Sequence, residues 1–142
     1  MSFASNTTPE LFRSFMPRQN EVANRNSRDV LCVHIYPPGF FQKFSPNRPF
    51  EKWAAVEVSE LSNLPAEMET MIIPPGLYAV FLFKGTMANA NAFFENVYGN
   101  WFPSSGYTVD SRPHFDVLGS KYRHNDPESE EEIWIPVKQQ DF

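Results

Sequence analysis

The chain is poor in cysteine, in positive charge and in long apolar runs, and each shortage excludes a class of protein. Cys32 is the only cysteine among 142 residues, which excludes an intrachain disulfide framework and a zinc site built from several thiolates. With 12 Lys and Arg against 17 Asp and Glu, the net charge is -5, so we do not expect direct nucleic-acid binding. No run reaches the ~18 apolar residues of a membrane-spanning helix, and residues 1–9 lack a signal-peptide pattern. These absences predict a cytoplasmic protein with no membrane contact.

Aromatic side chains are abundant instead. The chain has 14 Phe, 5 Tyr and 3 Trp, together 15% of its residues. Its length fits one domain over residues 1–142, which would bury roughly two-thirds of its unfolded surface. A core of this size needs fewer rings, so we expect some of them to line a cavity or a partner surface.

Hydrophobic periodicity divides the chain into two similar halves, at about residues 8–75 and 76–137. The first half predicts a helix at 8–23, strands at 29–37 and 52–59, and a strand at 68–73. The second predicts a strand at 77–84, a helix at 87–100, strands at 107–110 and 115–119, and a closing strand from 132. The pattern predicts an α+β fold in which strand-helix-strand-strand units are duplicated, although the first unit lacks its opening strand. The antiparallel sheet would carry its helices on one face and leave the other free to form a cleft.

The closing strand places a carboxylate next to an indole. Because side chains alternate along a strand, Glu132 and Trp134 share one face while Ile133, Ile135 and Val137 occupy the other. A ring beside a partly desolvated anion suits a flat cationic ligand. The alternative is that Glu132 faces water and Trp134 covers a sheet edge.

Residue spacing does not predict a metal site or a cofactor. Cys32 and His34 share a strand face, and His114 lies near Asp116, but these two pairs are far apart in the sequence. The chain has no Cys-x-x-Cys or His-x-x-x-His spacing, no Gly-x-Ser-x-Gly motif and no glycine-rich phosphate loop.

Five segments of the chain resemble the GyrI-like small-molecule-binding family, also called the AraC-type effector-binding domain. Its stand-alone, integron-associated members are the most similar, and the match runs in order from about residue 10 to 137. The segments are Phe50-Glu-Lys-Trp-Ala-Ala-Val-Glu-Val58, Ile73-Pro-Pro-Gly-Leu-Tyr-Ala-Val-Phe81, Trp101-Phe-Pro-Ser-Ser-Gly-Tyr107, Arg112-Pro-His-Phe115 and Glu132-Ile-Trp-Ile-Pro136.

The resemblance implies a ligand cleft between the two halves and a function in binding an aromatic, cationic small molecule. Glu132 corresponds to the buried glutamate of relatives that bind cationic lipophilic drugs. The aromatic cleft positions of the family correspond to Trp53, Tyr78, Trp101 and Trp134. Strand alternation, rather than the family motif, adds Tyr36 and Phe115.

The chain departs from the family at its start. The family opens with a strand before the first helix, whereas only residues 1–7 precede the helix here. Either that strand was lost or the native start lies upstream of Met1. An unpaired sheet edge would invite pairing between two copies, as a homodimer, or aggregation.

The resemblance leaves two other functions open. Some relatives hydrolyse reactive cyclopropane-containing compounds with a glutamate and a tyrosine, and Glu132 and Tyr78 could supply such a pair. A protein-interaction module of the gyrase-inhibitor type is the other alternative, although the modest, dispersed charge supports it least.

Overall fold

The computed structural model describes residues 1–41 and 43–140, and its described strands form one antiparallel sheet. The strands are β1 (Val30–Ile35), β2 (Glu51–Ala55), β3 (Tyr78–Lys84), β4 (Tyr107–Val109), β5 (His114–Leu118) and β6 (Glu130–Gln139). The helices are α1 (Thr8–Phe15), α2 (Met87–Asn96) and α3 (Phe102–Ser105). A 3₁₀ segment (Met16–Glu21) follows α1, and a π-helical turn (Val97–Trp101) joins α2 to α3. The fold is α+β, as predicted.

The strand order is β2-β1-β5-β6-β3, and β4 pairs with the last residues of β6. The register places five residues in one row across the sheet: Trp53, Val33, Phe115, Trp134 and Val80. Directly paired residues point to the same side of a sheet, so this row defines one surface, which we call the Trp134 face.

The neighbouring row points to the opposite side, which we call the helix face. It contains Ala54, Cys32, Asp116, Ile133 and Phe81. Both long helices pack here: the Lys52 side chain donates to Thr8 of α1 at 2.8 Å, and Phe81 contacts Phe93 of α2. Helices on one face leave the Trp134 face without a helix among the described residues, as predicted.

A cluster of buried hydrophobic side chains lies under α2. It combines alternate residues of β6 with the helical segment, and its buried members are Phe83, Val97, Phe102, Ile133, Ile135 and Val137. The α2 helix starts at a local cap, because the Thr86 amide donates to the Asn89 side chain at 3.0 Å. Burial of Ile133, Ile135 and Val137 on this side forces Glu132 and Trp134 to the other.

Three element predictions are wrong. The predicted strand at 52–59 ends at Ala55, because Glu57 and Ser59 make backbone hydrogen bonds to residues 26 and 24 instead of to β1. The predicted helix at 8–23 is α-helical only to Phe15 and continues as the 3₁₀ segment, because Pro17 has no amide hydrogen to donate. The predicted strand at 68–73 does not form, and Ile72 is largely exposed. Pro74 and Pro75 follow it directly and cannot donate to a strand ladder.

The described residues 1–7 form no strand before α1. Met1 and Phe50 nevertheless exchange backbone hydrogen bonds, at 3.2 Å and 2.9 Å, just before β2 begins. The rest of the outer edge of β2 pairs with no other strand in the part of the chain that the structure describes. None of the described helices is both long and apolar enough for a membrane span.

The core under α2 predicts a difference between the two faces of the sheet. Ile135 is 1% exposed and Leu82, on the Trp134 face, is 63% exposed. Ile135→Ala should lower the free energy of unfolding by about 3 kcal/mol, because it removes buried methyl groups and leaves a cavity. Leu82→Ala should change it by less than about 1 kcal/mol. Urea unfolding of both variants checks this, and equal losses would contradict the assignment of the core to the helix face.

Candidate functional site

Three aromatic rings on the Trp134 face pack into one cluster. Trp134 stacks on Phe115, with ring centroids 5.1 Å apart and planes 18° apart. Tyr78 meets both rings edge-on, at 5.4 Å from Phe115 and 5.8 Å from Trp134. Register explains the arrangement, since Phe115 and Trp134 are directly paired across β5 and β6. We call Tyr78, Phe115 and Trp134 the aromatic cluster.

Glu132 lies at one end of the aromatic cluster and is solvent-exposed. The buried glutamate that the family resemblance implies at this position is therefore wrong for Glu132, because period-two alternation puts the buried side chains of β6 on the helix face. Its Oε1 accepts a hydrogen bond from Trp134 Nε1 at 3.0 Å. The neighbouring side chains on β3 are apolar and exposed, with Val80 at 47% and Leu82 at 63%. The Trp134 face therefore presents stacked rings, exposed aliphatic carbons and one anchored carboxylate, a combination suited to an organic cation.

Arg112 closes the other end of the aromatic cluster. Its guanidinium carbon lies 4.6 Å from the Tyr78 ring centroid. Arg112 Nε donates a hydrogen bond to the Asp110 carboxylate at 3.0 Å, and Arg112 Nη2 donates one to the Leu77 carbonyl at 2.6 Å. The hydrogen bond from Arg112 lowers the pKa of Asp110. Gly76 makes room for this arrangement, because a Cβ there would lie 2.5 Å from the guanidinium.

The Tyr78 hydroxyl is buried and has no hydrogen-bond partner among the described residues. Tyr78 pairs with Pro136, which lies four residues, or roughly 13 Å of strand, from Glu132. Trp134 lies between them and contacts both. The structure thus brings Tyr78 and Glu132 onto one surface, but it shows no direct hydrogen bond between them.

The other predicted ligand-binding residues lie elsewhere. Trp53 shares the Trp134 face, but three strand spacings, roughly 14 Å, separate it from Trp134. Trp101 packs on the helix face, 5.1 Å from the Phe81 ring. Tyr36 stacks on His34 at 6.0 Å, also on the helix face. Of the predicted site residues, the structure therefore brings together Tyr78, Phe115, Glu132 and Trp134.

A sizeable cavity lies at Trp53 rather than at the aromatic cluster. It has a volume of about 740 Å³ and follows β2 between α1 and residues 60–70. Trp53 lines it, whereas Glu132, Tyr78 and Trp134 do not. We call it the β2 groove. Its lining mixes acidic and basic side chains with aliphatic ones and with three aromatic residues, Phe15, Phe50 and Trp53.

A second group of titratable side chains lies on the helix face at the centre of the sheet. Cys32 pairs with Asp116 and His34 pairs with His114, across β1 and β5. Burial, and to a smaller extent the charge of Asp116, raises the pKa of the Cys32 thiol to about 12. Burial also lowers the pKa of His114 to about 3, so that this imidazole is neutral at physiological pH. The thiol of Cys32 is therefore protonated and a poor nucleophile.

Glu131 belongs to the same region and contrasts with its neighbour Glu132. Desolvation, and then the charge of Asp116, raises the pKa of Glu131 to about 7. Glu131 points to the helix face because it alternates with Glu132 along β6. The alternation of Glu132 with Trp134 in the sequence points only to the exposed member of this pair. Arg112 carries no such local signal, because its place over Tyr78 depends on a turn that no local pattern predicts.

The raised pKa of Glu131 predicts a pH dependence of stability. Between its ordinary pKa of 4.5 and about 7, the unfolded state binds fewer protons than the folded state, so stability should fall as pH rises through this range. Glu131→Gln cannot ionise and should show a shallower fall. His114 opposes this trend below pH 6.5, but equally in both proteins. Urea midpoints measured from pH 4.5 to 7.5 check the prediction, with Glu132→Gln as the control. Identical pH profiles for wild type and Glu131→Gln would contradict it.

Comparison with known proteins agrees with the family resemblance of the sequence. The family model described as Cass2, integron-associated effector binding protein, matches residues 2–137. The transcriptional regulator BrlR of Pseudomonas aeruginosa is 26% identical over 140 residues, which cover 96% of this chain and 48% of the regulator. The chain thus spans about half the length of this curated relative. Since the family model matches nearly the whole chain, the protein belongs to the integron-associated effector-binding proteins of the GyrI-like family.

Proposed function

We propose that the protein binds a small aromatic cation against the aromatic cluster, with Glu132 as the charge-complementary group. The observation that carries the proposal is the 3.0 Å hydrogen bond from Trp134 to Glu132, which fixes a carboxylate at the edge of a stacked pair of rings. Membership of an effector-binding family supports small-molecule binding as the general function.

Two contributions to the binding free energy favour such a ligand. A flat ring lying over Val80, Leu82 and Trp134 would bury apolar surface, at about 25 cal/mol per Å². A cationic centre near Glu132 would gain a charge-assisted contact that strengthens as the ligand excludes water. Arg112 already places a cation against the face of Tyr78, so this aromatic cluster accepts positive charge within the protein itself.

Binding is favoured over catalysis by the separation of Glu132 and Tyr78. A general acid or base must lie within hydrogen-bond reach of the reacting group, and the roughly 13 Å of strand between these positions is spanned by Trp134. Hydrolysis stays a prediction of the family resemblance. We place the protein in the cytoplasm, where a reducing environment suits its single free thiol.

A charge substitution tests the role of Glu132. Glu132→Gln should weaken binding of 1-methylquinolinium, a flat aromatic cation, by about ten-fold, because it removes the charge and preserves shape. Glu95→Gln, at an exposed site on α2, removes the same charge and should have no effect. Titration calorimetry of the three proteins measures the difference.

A neutral ligand separates the charge from the rings. 1-Methylnaphthalene, the neutral compound of the same shape, should bind equally well to wild type and to Glu132→Gln, while Trp134→Leu should weaken the binding of both ligands. If 1-methylquinolinium binds the wild type and Glu132→Gln with the same affinity, Glu132 is not the recognition charge. If Trp134→Leu binds both ligands as the wild type does, the aromatic cluster is not the site.

We further propose that two copies associate through the outer edge of β2. The reciprocal bonds between Met1 and Phe50 show that the peptide groups of Phe50 point outwards, so alternation points those of Lys52 and Ala54 outwards as well. A two-fold axis at Trp53 would pair Lys52 of one copy with Ala54 of the other. Extended edges with unpaired donors and acceptors favour such pairing.

A proline on this edge tests the dimer. Ala54→Pro should abolish dimerisation, because it removes an outward amide hydrogen while the inward bonds of Trp53 and Ala55 to β1 remain. Ala54→Ser keeps the amide and should behave as the wild type. Size-exclusion chromatography with light scattering gives the mass, and circular dichroism checks the fold. A monomeric wild type at all concentrations tested would contradict the proposal.

A further inference from the structure

Three side chains with metal-binding atoms meet on the helix face, on the far side of the sheet from the aromatic cluster. Cys32 and His34 belong to β1, and Asp116 lies opposite Cys32 on β5. One potential ligand atom from each lies within 4.8 Å of the other two. Cys32 is buried, whereas His34 and Asp116 are partly exposed, so water and small ions can reach the group.

The geometry already approaches a tetrahedral site. His34 Nε2 and Asp116 Oδ2 are 3.4 Å apart. Ligand bonds of about 2.1 Å at a tetrahedral metal require roughly 3.4 Å between a nitrogen and an oxygen ligand, and roughly 3.5 Å from either to a thiolate sulfur. The distances from Cys32 Sγ to the other two ligand atoms are at most 4.8 Å, so they would have to shorten by at most about 1.3 Å. Rotation of the Cys32 and His34 side chains can provide a shift of this size.

The charge environment also favours a cation. His34 is the only basic side chain within ion-pair distance of Asp116 in the described part of the chain, at 3.4 Å. The other ring nitrogen of His34, Nδ1, is buried with no hydrogen-bond partner among the described residues. The negative charge of Asp116 is therefore only weakly neutralised by the other side chains of the group.

We propose that Cys32, His34 and Asp116 bind one divalent transition-metal ion, of the zinc type, with water at the fourth position. Sulfur, imidazole and carboxylate ligands in one set suit Zn²⁺ and Co²⁺ and exclude Mg²⁺ and Ca²⁺, which take oxygen ligands. Binding replaces the thiol proton of Cys32 with a metal-sulfur bond and releases that proton to solvent. The metal ion changes neither its oxidation state nor that of the thiol.

The site would join the two halves of the chain. The β1 strand belongs to the first predicted half and β5 to the second, and their pairing holds the halves together at the centre of the sheet. A bound metal that adds bonds across this pair stabilises the folded state over the unfolded one. The metal would thus stabilise the pairing of β1 with β5 and leave the aromatic cluster free for its own ligand.

Cobalt is a direct probe, because Cys32 is the only cysteine. Metal-free protein under reducing conditions should bind one equivalent of Co²⁺ and develop thiolate-to-cobalt charge-transfer absorption, which excess Zn²⁺ should remove. Cys32→Ser should abolish this absorption. His34→Gln and Asp116→Asn should each weaken Co²⁺ binding by at least ~10-fold. His124→Gln, at an exposed loop position, is the matched control and should bind as the wild type does.

Several outcomes would overturn the proposal. Wild-type protein that takes up no Co²⁺ at millimolar concentration, or binds it without charge-transfer absorption, has no such site. Unchanged affinity in both His34→Gln and Asp116→Asn would show that Cys32 binds the metal with other partners. Circular dichroism confirms that each variant is folded. The wild-type spectrum and its loss on adding Zn²⁺ decide the matter even if one variant does not fold.

Discussion

The alternation of side chains along β6 is the constraint on which the rest of the structure depends. Ile133, Ile135 and Val137 are buried under α2, and this burial fixes which way every residue of the strand points. A slip of one residue would send the three aliphatic side chains to the Trp134 face and bring Glu132 and Trp134 under the helix. The apolar core and the candidate ligand site are therefore set by the same register.

Glu131 and Glu132 show how strongly that register acts on chemistry. They are adjacent in sequence, yet Glu131 lies in the partly buried group around Asp116 and Glu132 is exposed beside an indole. Desolvation favours the protonated form of the first, whereas the hydrogen bond from Trp134 holds the second in place as an acceptor. Of these two glutamates, Glu132 is therefore the one that the proposed cation would meet from solvent.

The sheet also separates the two proposed sites. Rings and exposed aliphatic carbons lie on the Trp134 face, and the side chains of Cys32, His34 and Asp116 meet on the helix face. Phe115 and Asp116 are neighbours on β5 and belong to different sites for the same reason as the two glutamates. The pairing of β1 with β5 and β6 would thus serve both proposed sites without placing their ligands in competition.

Local patterns predicted the class of fold and most strands, because alternation and helical spacing are properties of short segments. They also placed Glu132 and Trp134 on one face, which needs only period two. They could not place Trp101 relative to the aromatic cluster. Its spacing continues the helical pattern of α2, and its ring packs on Phe81 of β3, on the helix face. Nor could they bring Cys32 to Asp116, because that contact depends on the long-range pairing of β1 with β5.

The β2 groove and the aromatic cluster differ in what they can hold. The groove follows a strand edge whose peptide groups at Lys52 and Ala54 point outwards, so its floor offers hydrogen bonds at the spacing of another polypeptide strand. The aromatic cluster offers ring faces and one carboxylate, with no repeating peptide groups. The volume of the groove therefore does not make it the better site for a flat organic cation. Its shape is the one expected beside an unpaired strand, and it fits the proposed pairing of two copies at β2, with the proposed ligand site at Trp134 and Glu132.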